Sequence, residues 1–334
     1  MSRIAILGGG SWGTALAIVL SRARRKHDIS LWVHDPALAE SLARDRENQT
    51  YLPGNRMARD VQVTSDIHDA VAGAKILVGA MPTAHAREVY KAAAAHISPG
   101  TVFVSASKGL EPKTHKRMSE VIEMVFTRKF APRVAVLSGP SFAAEAAREE
   151  PTAVVLACRD DSVASELQQE FAAPYFRIYT NSDVLGVELA GAMKNVIAIA
   201  AGVCQGLGLG SNPLAALITR GLAEMSRLAA VLGAQPETLT GLAGLGDLVL
   251  TCTGALSRNR QVGIELGRGR PLDEILGGMR MVAEGVGTTP ALIDLARKTR
   301  VDLPITGAVF SMLYQGKAPL EAIRDIMNRP QKRE

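Results

Sequence analysis

Ile4-Ala-Ile-Leu7 runs directly into Gly8-Gly-Gly-Ser-Trp-Gly13, and this stretch decides the fold of the first half of the chain. A short apolar run that meets a glycine cluster is typical of a buried strand that turns at once into a helix. Gly8, Gly10 and Gly13 have the spacing G-x-G-x-x-G. The first glycine permits a tight turn, the second lets the backbone approach a pyrophosphate, and the third lets the helix pack on the strand.

The helix after this turn is expected to begin near Ser11, followed by Trp12. The N–H groups in its first turn would face an anion. Glycines also mark ordinary turns, so the spacing alone is a weak signal. Because a strand precedes the glycines and a helix follows them, the context favours dinucleotide binding.

The second predicted strand ends in Trp32-Val-His-Asp-Pro36. An acidic residue about 20 positions past the glycines holds the ribose hydroxyls of NAD in many dinucleotide-binding folds, and Asp35 is a candidate. His34 could instead face the 2′-phosphate of NADP. Asp35 could equally cap the next helix, with Pro36 at its first position. The preference between NAD and NADP therefore stays open.

The first half of the chain alternates short β-branched runs with helical patterns, which indicates a parallel sheet covered on both faces. The predicted strands are Arg3–Leu7, Ile29–Val33, Val61–Val63, Ile76–Ala80, Thr101–Ser105, Val134–Leu137, Thr152–Ala157 and Phe176–Tyr179. The predicted helices are Thr14–Arg24, Ala37–Glu47, Ala84–His96, Thr114–Phe126 and Ser162–Ala172.

The pattern changes near Asp183, after which no strand is predicted. Proline and glycine punctuate the ends of the helical patterns there. The predicted helices are Val184–Gln205, Pro213–Leu232, Arg260–Leu266, Thr289–Lys298 and Ile305–Leu313. The sequence therefore predicts an α/β fold: a Rossmann-like, doubly wound N-terminal domain over residues 1–184 that binds NAD(P), and an all-helical domain over 185–334 that binds substrate.

Composition narrows the class of protein. The 334 residues suggest about two domains. Lysine and arginine number 38 against 33 acidic residues, a net charge of +5 that suits a small anionic substrate, and only 4% of residues are aromatic, which disfavours nucleic acid. Three separated cysteines argue against zinc and disulfides. Apolar runs such as Val196–Val203 are short for a membrane span, and no signal peptide is evident, so we expect a cytoplasmic protein.

Lys194 is the only basic residue between Arg177 and Arg220, and it lies in a predicted apolar helix. A buried lysine costs free energy unless it is paired or neutralised, and burial lowers a lysine pKa towards values useful for proton transfer. The alternative is a lysine that extends from the helix edge to water. The charge pattern does not decide between them.

Two segments of the second half carry further polar candidates. Asp247, in Gly244-Leu-Gly-Asp247, could partner a catalytic lysine or cap a helix. Ser257-Arg-Asn-Arg260 offers a hydroxyl, guanidinium groups and an amide that suit a phosphate or carboxylate. On spacing alone, a solvated loop and helix start explains the second segment better.

Two more segments follow predicted strands of the sheet. Lys108 lies in Ser107-Lys-Gly109, and Gly139 and Ser141 lie in Ser138-Gly-Pro-Ser-Phe142. Ligands bind at the carboxyl ends of strands in open α/β sheets, although both segments could be plain turns or helix starts. None of the six histidines has metal-ligand spacing, so no metal site is predicted, and no hydrolase nucleophile motif is present.

Taken in order, these blocks resemble bacterial-type NAD(P)-dependent glycerol-3-phosphate dehydrogenases over nearly the whole chain. The resemblance is most specific in the Lys-Asn, Gly-Leu-Gly-Asp and Ser-Arg-Asn-Arg blocks. The matching blocks are Gly8–Gly13, Ser107–Glu111, Ser138–Ala143, Lys194–Ile199, Leu217–Met225, Gly241–Cys252 and Ser257–Arg260, and the match continues to Pro304-Ile-Thr306.

The resemblance implies reversible hydride transfer between NAD(P)H and dihydroxyacetone phosphate, giving sn-glycerol 3-phosphate for glycerophospholipid synthesis. Lys194 would be the proton acceptor and donor, with Lys108 and Asp247 as its partners. The implied substrate contacts are Lys108, Gly139, Ser141, Lys194, Asp247, Ser257, Arg258 and Asn259. The implied cofactor contacts, beside the glycines Gly8, Gly10 and Gly13, are Ser11, Trp12, His34, Lys108, Ala143, Arg258, Val282 and Glu284.

The chain departs from the family pattern beside the implied cofactor contacts. Gly287 stands where the family often has arginine, and Met281-Val-Ala-Glu284 replaces a more usual Gln-Val-Val-Glu. Two other functions stay open at this point: a dehydrogenase of β-hydroxy acids, and a redox sensor that binds dinucleotide without turnover. The many apolar helices are compatible with a homodimer.

Overall fold

A computed structural model of the chain describes residues 1–331 and 333. It divides into two compact units: Met1–Glu111 with Lys116–Glu188, and Pro112–His115 with the residues from Leu189 onward. The sequence predicts one boundary near residue 185, whereas a four-residue segment of the first half belongs to the second unit.

The first unit contains one eight-stranded sheet with the order β3-β2-β1-β4-β5-β6-β7-β8. The sequence predicts all eight strands, each within two residues of its observed ends. The strands are β1 Ser2–Leu7, β2 His27–Trp32, β3 Gln62–Thr64, β4 Ile76–Gly79, β5 Val102–Ser105, β6 Arg133–Ser138, β7 Thr152–Cys158 and β8 Phe176–Asn181. The strand order reverses between β1 and β4, and ligands bind at such a point in doubly wound sheets.

Helices cover both faces of this sheet, as predicted. Ile4 and Ile6 of β1 belong to one buried cluster, and the alternate residues Ala5 and Leu7 belong to another. Successive side chains of a strand point to opposite faces, so each face has its own core. The helices are α1 Ser11–Ser21, α2 Pro36–Asp45, α3 Ile67–Val71, α4 Thr83–Ala93, α5 Met118–Phe126, α6 Ala143–Ala147 and α7 Asp161–Phe171, with a 3₁₀ turn at Ala94–His96.

The prediction of a wholly parallel sheet is wrong at one pair of strands. β6 and β7 are antiparallel, with Leu137 opposite Leu156. Only the five-residue helix α6 lies between these strands. A connection between parallel strands must return the chain over one face of the sheet to the end where the first strand began, and it usually contains a longer helix. The sequence pattern did not reveal α6, because five residues carry too few apolar repeats.

The second unit is helical, and no strand occurs among its described residues. All five predicted helices are present, but four short ones and a π-helical turn at Leu242–Gly246 were missed. The helices are α8 Val184–Gly206, which begins in the first unit, α9 Ser211–Val231, α10 Pro236–Thr240, α11 Asp247–Thr253, α12 Arg258–Gly267, α13 Leu272–Gly277, α14 Glu284–Thr299, α15 Pro304–Tyr314 and α16 Pro319–Met327.

α14 begins at Glu284, five residues before the predicted start, and carries Pro290 in its interior. A proline removes the N–H that would bond the carbonyl four residues earlier. That carbonyl belongs to Val286, and it accepts a hydrogen bond from the Tyr314 hydroxyl at 2.8 Å. The tertiary contact therefore satisfies the group that proline leaves unpaired, and the helix continues through it.

By length and composition, α8 is long and apolar enough to cross a membrane. The same is true of Pro236–Thr253 and α12 if this bent pair is taken as one segment. The expectation that every apolar stretch is too short is therefore wrong for α8. In the structure 94% of its apolar window is buried within the protein, as in the core helix of a globular protein.

Glycines let α8 and α12 pack backbone against backbone. A β-carbon on Gly263 of α12 would lie 1.9 Å from the Ile199 carbonyl oxygen, and one on Gly202 of α8 would lie 2.0 Å from the Arg260 carbonyl oxygen. Gly206 and Gly267 make similar contacts one turn farther along. No larger residue fits at these positions without separating the helices.

We expect Gly263→Ala to lower the free energy of unfolding by about 3 kcal/mol, because the new methyl group would force two backbones apart. Gly307→Ala in α15 is the matched control. A β-carbon there meets nothing within 4 Å, and alanine should stabilise the helix by about 0.5–1 kcal/mol. Urea unfolding measures both changes, and equal stabilities for the two variants would contradict close packing at Gly263.

Glu224 of α9 is a buried carboxylate that caps α15. It accepts hydrogen bonds from the backbone N–H groups of Ile305 and Thr306 and from the Thr306 hydroxyl. Burial raises the pKa of Glu224 from 4.5 to about 7, although these hydrogen bonds and Arg227 favour the charged form. Desolvation of the carboxylate therefore outweighs its local partners.

Because its folded pKa is raised, Glu224 stabilises the protein below pH 4.5 and loses that contribution as the pH rises through about 7. Its share of the free energy of unfolding should fall by about 3 kcal/mol over this interval. Urea unfolding of the wild type and of Glu224→Gln at several pH values gives this share as their difference. Parallel pH profiles for the two proteins would show that the group does not titrate in this range.

Candidate active site

The glycine turn between β1 and α1 has the shape that the sequence predicts. Gly8 has φ +123°, and a β-carbon there would lie 2.8 Å from the Ala80 carbonyl oxygen. A β-carbon on Gly13 would lie 1.8 Å from the Gly8 carbonyl oxygen, so α1 packs directly on the turn. Gly10 precedes α1 and has open space where a β-carbon would be. The turn therefore fits a pyrophosphate that approaches the backbone at Gly10 and the start of α1 at Ser11.

Asn48 forms hydrogen bonds to this turn and to the first turn of α1. The sequence analysis did not identify it. Its side chain is buried and donates to the Gly9 carbonyl and to the Thr14 hydroxyl, each at 2.9 Å. An asparagine in a loop after a helix belongs to no pattern that would have marked it.

The residues near the end of β2 are arranged as a helix start. Asp35 accepts a hydrogen bond from the Ala37 N–H at 2.9 Å and precedes α2, whose first residue is Pro36. The capping interpretation of Asp35 is therefore the one that its hydrogen bond supports. His34 is exposed, with its ring 5.7 Å from that of Trp32. Trp12 packs against the core of the sheet.

Lys108 lies close to the segment after β6. Its Nζ donates to the Gly139 carbonyl at 2.8 Å and lies 3.5 Å from the Ser141 hydroxyl. Gly139 has φ +126°, a backbone conformation that glycine adopts readily and other residues rarely do. Ala143 follows as the first residue of α6. The structure thus brings together three predicted substrate contacts of the first unit, all after carboxyl ends of strands.

Lys194 is buried in the second unit and does not extend to water. Its side chain is 7% exposed, and its Nζ donates to Asp247 Oδ1 and to Thr251 Oγ1, each at 2.7 Å. The Thr251 hydroxyl also donates to the Asp247 carbonyl at 2.6 Å. Burial penalises the ammonium, and the neighbouring carboxylate favours it. Thr251 was not among the predicted site residues.

A chain of amides joins three helices next to Lys194. Asn259 Nδ2 donates to Asn195 Oδ1, and Asn259 Oδ1 accepts from the Gly285 N–H, both at 2.9 Å. These bonds use the amide oxygen and one of the two side-chain N–H groups of Asn259. Asn195 follows Lys194 in sequence, but its role as a link between helices is visible only in the structure.

The Ser257–Arg260 segment is the start of a helix, as the plainer interpretation predicted. Ser257 caps α12 and accepts from the Arg260 N–H at 3.2 Å. Arg258 donates to the Val282 carbonyl at 3.0 Å, and burial lowers its pKa while Glu284 opposes that effect. A helix start and an anion-binding segment are compatible interpretations, because the start of a helix also offers N–H groups to an anion.

The Cys252 thiol lies in the same helix as Asp247 and Thr251. Burial raises the pKa of the Cys252 thiol, next to Thr251, to about 12, so it stays protonated near neutral pH. Within the described part of the chain, no group of three or more histidine, cysteine or acidic side chains could hold a metal ion.

Two family models together match most of the chain. One, described as NAD-dependent glycerol-3-phosphate dehydrogenase N-terminus, matches residues 3–164, and its C-terminal counterpart matches residues 183–324.

Individual relatives match over almost their whole length. The glycerol-3-phosphate dehydrogenase (NAD(P)+) of Koribacter versatilis is 54% identical over 99% of this chain and 98% of its own. That of Nitratidesulfovibrio vulgaris is 51% identical over 98% of both chains. The crystal structure of glycerol-3-phosphate dehydrogenase from Coxiella burnetii has a TM-score of 0.93 at 39% identity, covering 98% of this chain and 99% of that one.

The buried pair of Lys194 and Asp247 gives a test by double-mutant cycle. Lys194→Met or Asp247→Asn alone should each lower the free energy of unfolding by about 3–5 kcal/mol, because each leaves its partner buried without an opposite charge. The double variant should be less destabilised than the sum of the two. Additive losses in urea unfolding would show that the two charges do not interact.

Proposed function

This chain belongs to the NAD-dependent glycerol-3-phosphate dehydrogenase family, and we propose that it interconverts dihydroxyacetone phosphate and sn-glycerol 3-phosphate with NAD(P)H as the hydride donor. The observation that carries the proposal is the buried lysine, carboxylate and hydroxyl of Lys194, Asp247 and Thr251. A ketone that accepts hydride must also accept a proton on its oxygen, and this group supplies one.

In the reducing direction, bound NAD(P)H would supply hydride to the carbonyl carbon of the substrate. The carbonyl π bond breaks, and its electron pair moves to the oxygen. The Lys194 ammonium gives a proton to that oxygen, and the C–OH group forms. In the oxidising direction the neutral amine takes the hydroxyl proton back, and bound NAD(P)+ would accept the hydride. Asp247 and Thr251 hold Nζ in one position throughout.

The phosphate of the substrate suits the start of α12. Arg258 offers a guanidinium group that pairs well with phosphate oxygens, and Ser257 and Asn259 are neighbouring donors. Lys108, Gly139 and Ser141 are further proposed substrate contacts. A site built to bind a phosphate loses much affinity for an analogue that lacks it.

The cofactor would lie against the glycine turn, with its pyrophosphate at Gly10 and Ser11. The other proposed cofactor contacts, carried over from the family resemblance, are Trp12, His34, Lys108, Ala143, Arg258, Val282 and Glu284. The Asp35 carboxylate is engaged as a helix cap, which leaves both NADH and NADPH as candidate donors. The product would serve glycerophospholipid synthesis in the cytoplasm.

Absorbance at ~340 nm, where the reduced nicotinamide absorbs, follows the reaction. Wild-type protein should oxidise NADH or NADPH when dihydroxyacetone phosphate is added, and should not do so with unphosphorylated dihydroxyacetone or with β-keto acids. Oxidation driven equally by these other ketones would support the β-hydroxy acid alternative. Cofactor binding without turnover on any of them would support a sensor.

Lys194→Met should reduce turnover by about 10²-fold or more, because general acid–base catalysis by one residue contributes that much. Binding of NAD(P)H, measured by calorimetry, should stay close to wild type. Lys91→Met, at an exposed lysine of α4, is the matched control and should keep full turnover. Near wild-type turnover in Lys194→Met would show that another group moves the proton.

A further inference from the structure

Asn48 is the polar side chain that fixes the glycine turn, and every polar atom of its amide has a described role. Its Nδ2 donates to the Gly9 carbonyl and to Thr14 Oγ1, and its Oδ1 accepts from the Tyr51 N–H at 3.0 Å. The residue is fully buried. A carbonyl can only accept and a backbone N–H can only donate, so these partners allow a single orientation of the amide.

The turn needs such a restraint because Gly8, Gly9 and Gly10 follow one another. Glycine populates many backbone conformations, so a peptide between two glycines can rotate at little cost. A pyrophosphate site needs the opposite: N–H groups already aimed at the anion. Within the turn, Gly9 is buried and Gly10 is half-buried.

The Gly9 carbonyl and the Gly10 N–H belong to one planar trans peptide and point in opposite directions. Asn48 holds the carbonyl on the buried side of the turn, so the N–H points to the other side, where there is open space at Gly10. The second bond, to Thr14, ties the same amide to the first turn of α1. One side chain thus orients both parts of the anion site.

We propose that Asn48 is a positioning residue for the cofactor: it fixes the Gly9–Gly10 peptide so that the turn binds the pyrophosphate. Asn48 does not touch the cofactor itself. This proposal rests on the proposed function only in that it requires a dinucleotide ligand, and it can be tested by binding, without turnover.

The test is a series of ligands measured by calorimetry on the full chain. Asn48→Asp keeps the shape but has no N–H to donate and places a carboxylate against the Gly9 carbonyl. The variant should bind NAD(P)H and ADP-ribose (or its 2′-phosphate) about tenfold or more weakly than the wild type, because a lost buried hydrogen bond costs that much in affinity. Adenosine, which has no phosphate, should bind within about twofold of wild type.

Asn55→Asp is the matched control, because Asn55 is a buried asparagine of the same loop whose Nδ2 bonds only locally, to the Pro53 carbonyl at 2.9 Å. It should leave all three affinities near wild type. Thermal unfolding of each variant shows whether the fold is intact. If Asn48→Asp does not fold, Asn48→Ala replaces it, and the same series applies.

Unchanged ADP-ribose binding by a folded Asn48 variant would overturn the proposal. So would an equal loss for adenosine and ADP-ribose, because that pattern indicates general damage to the unit. Failure of the proposed function looks different: wild-type protein would then bind the dinucleotide without reducing dihydroxyacetone phosphate, and the effect of Asn48 on pyrophosphate binding could still be measured. A wild type that binds no dinucleotide would refute both proposals.

Discussion

A β-carbon on Gly263 would lie only 1.9 Å from the carbonyl oxygen of Ile199, so α8 and α12 can pack this closely only because residue 263 is glycine. The arrangement of the second unit depends on this close approach of two helices. α8 carries Lys194 and Asn195, and α12 begins with Arg258 and Asn259. Because glycines bring the two backbones together, side chains as short as those of Asn195 and Asn259 can bond to each other directly. The same constraint appears in the first unit, where only glycine at residue 13 allows α1 to pack against the turn at Gly8.

Buried charges are the second organising feature, and each is held by a different kind of partner. Lys194 faces a carboxylate and a hydroxyl. Glu188, near the start of α8, accepts from Arg117 and from the backbone and side chain of Ser119. Burial raises the pKa of Glu188, although these partners favour the charged form and lower it. Partners of this kind offset the cost of removing a charge from water, so these groups persist inside the protein.

The predictions that failed did so for different physical reasons. A proline at residue 290 predicts a helix start, yet α14 runs through it because the Tyr314 hydroxyl, 28 residues from Val286 along the chain, satisfies the carbonyl left unpaired. A strand after β6 predicts another parallel neighbour, yet β7 runs antiparallel because α6 is too short to cross the sheet. No sequence pattern marks Asn48, because its main partner is the Gly9 carbonyl, 39 residues earlier in the chain.

The amino-acid sequence alone was sufficient to predict the periodic features: eight strands, the long helices, the change from α/β to helical near Asp183, and the glycine turn. These follow from local spacing, which the chain carries in every conformation. The motif blocks also marked Lys194, Asp247 and the Ser257–Asn259 segment as candidates. Only the tertiary structure decided whether Lys194 is buried or extends to water, which groups hold it, and whether Asp35 caps a helix. The environment of Lys194 depends on atoms distant in sequence, which come together only when the chain folds. The Asp35 cap is a local hydrogen bond, and it exists only once α2 has formed.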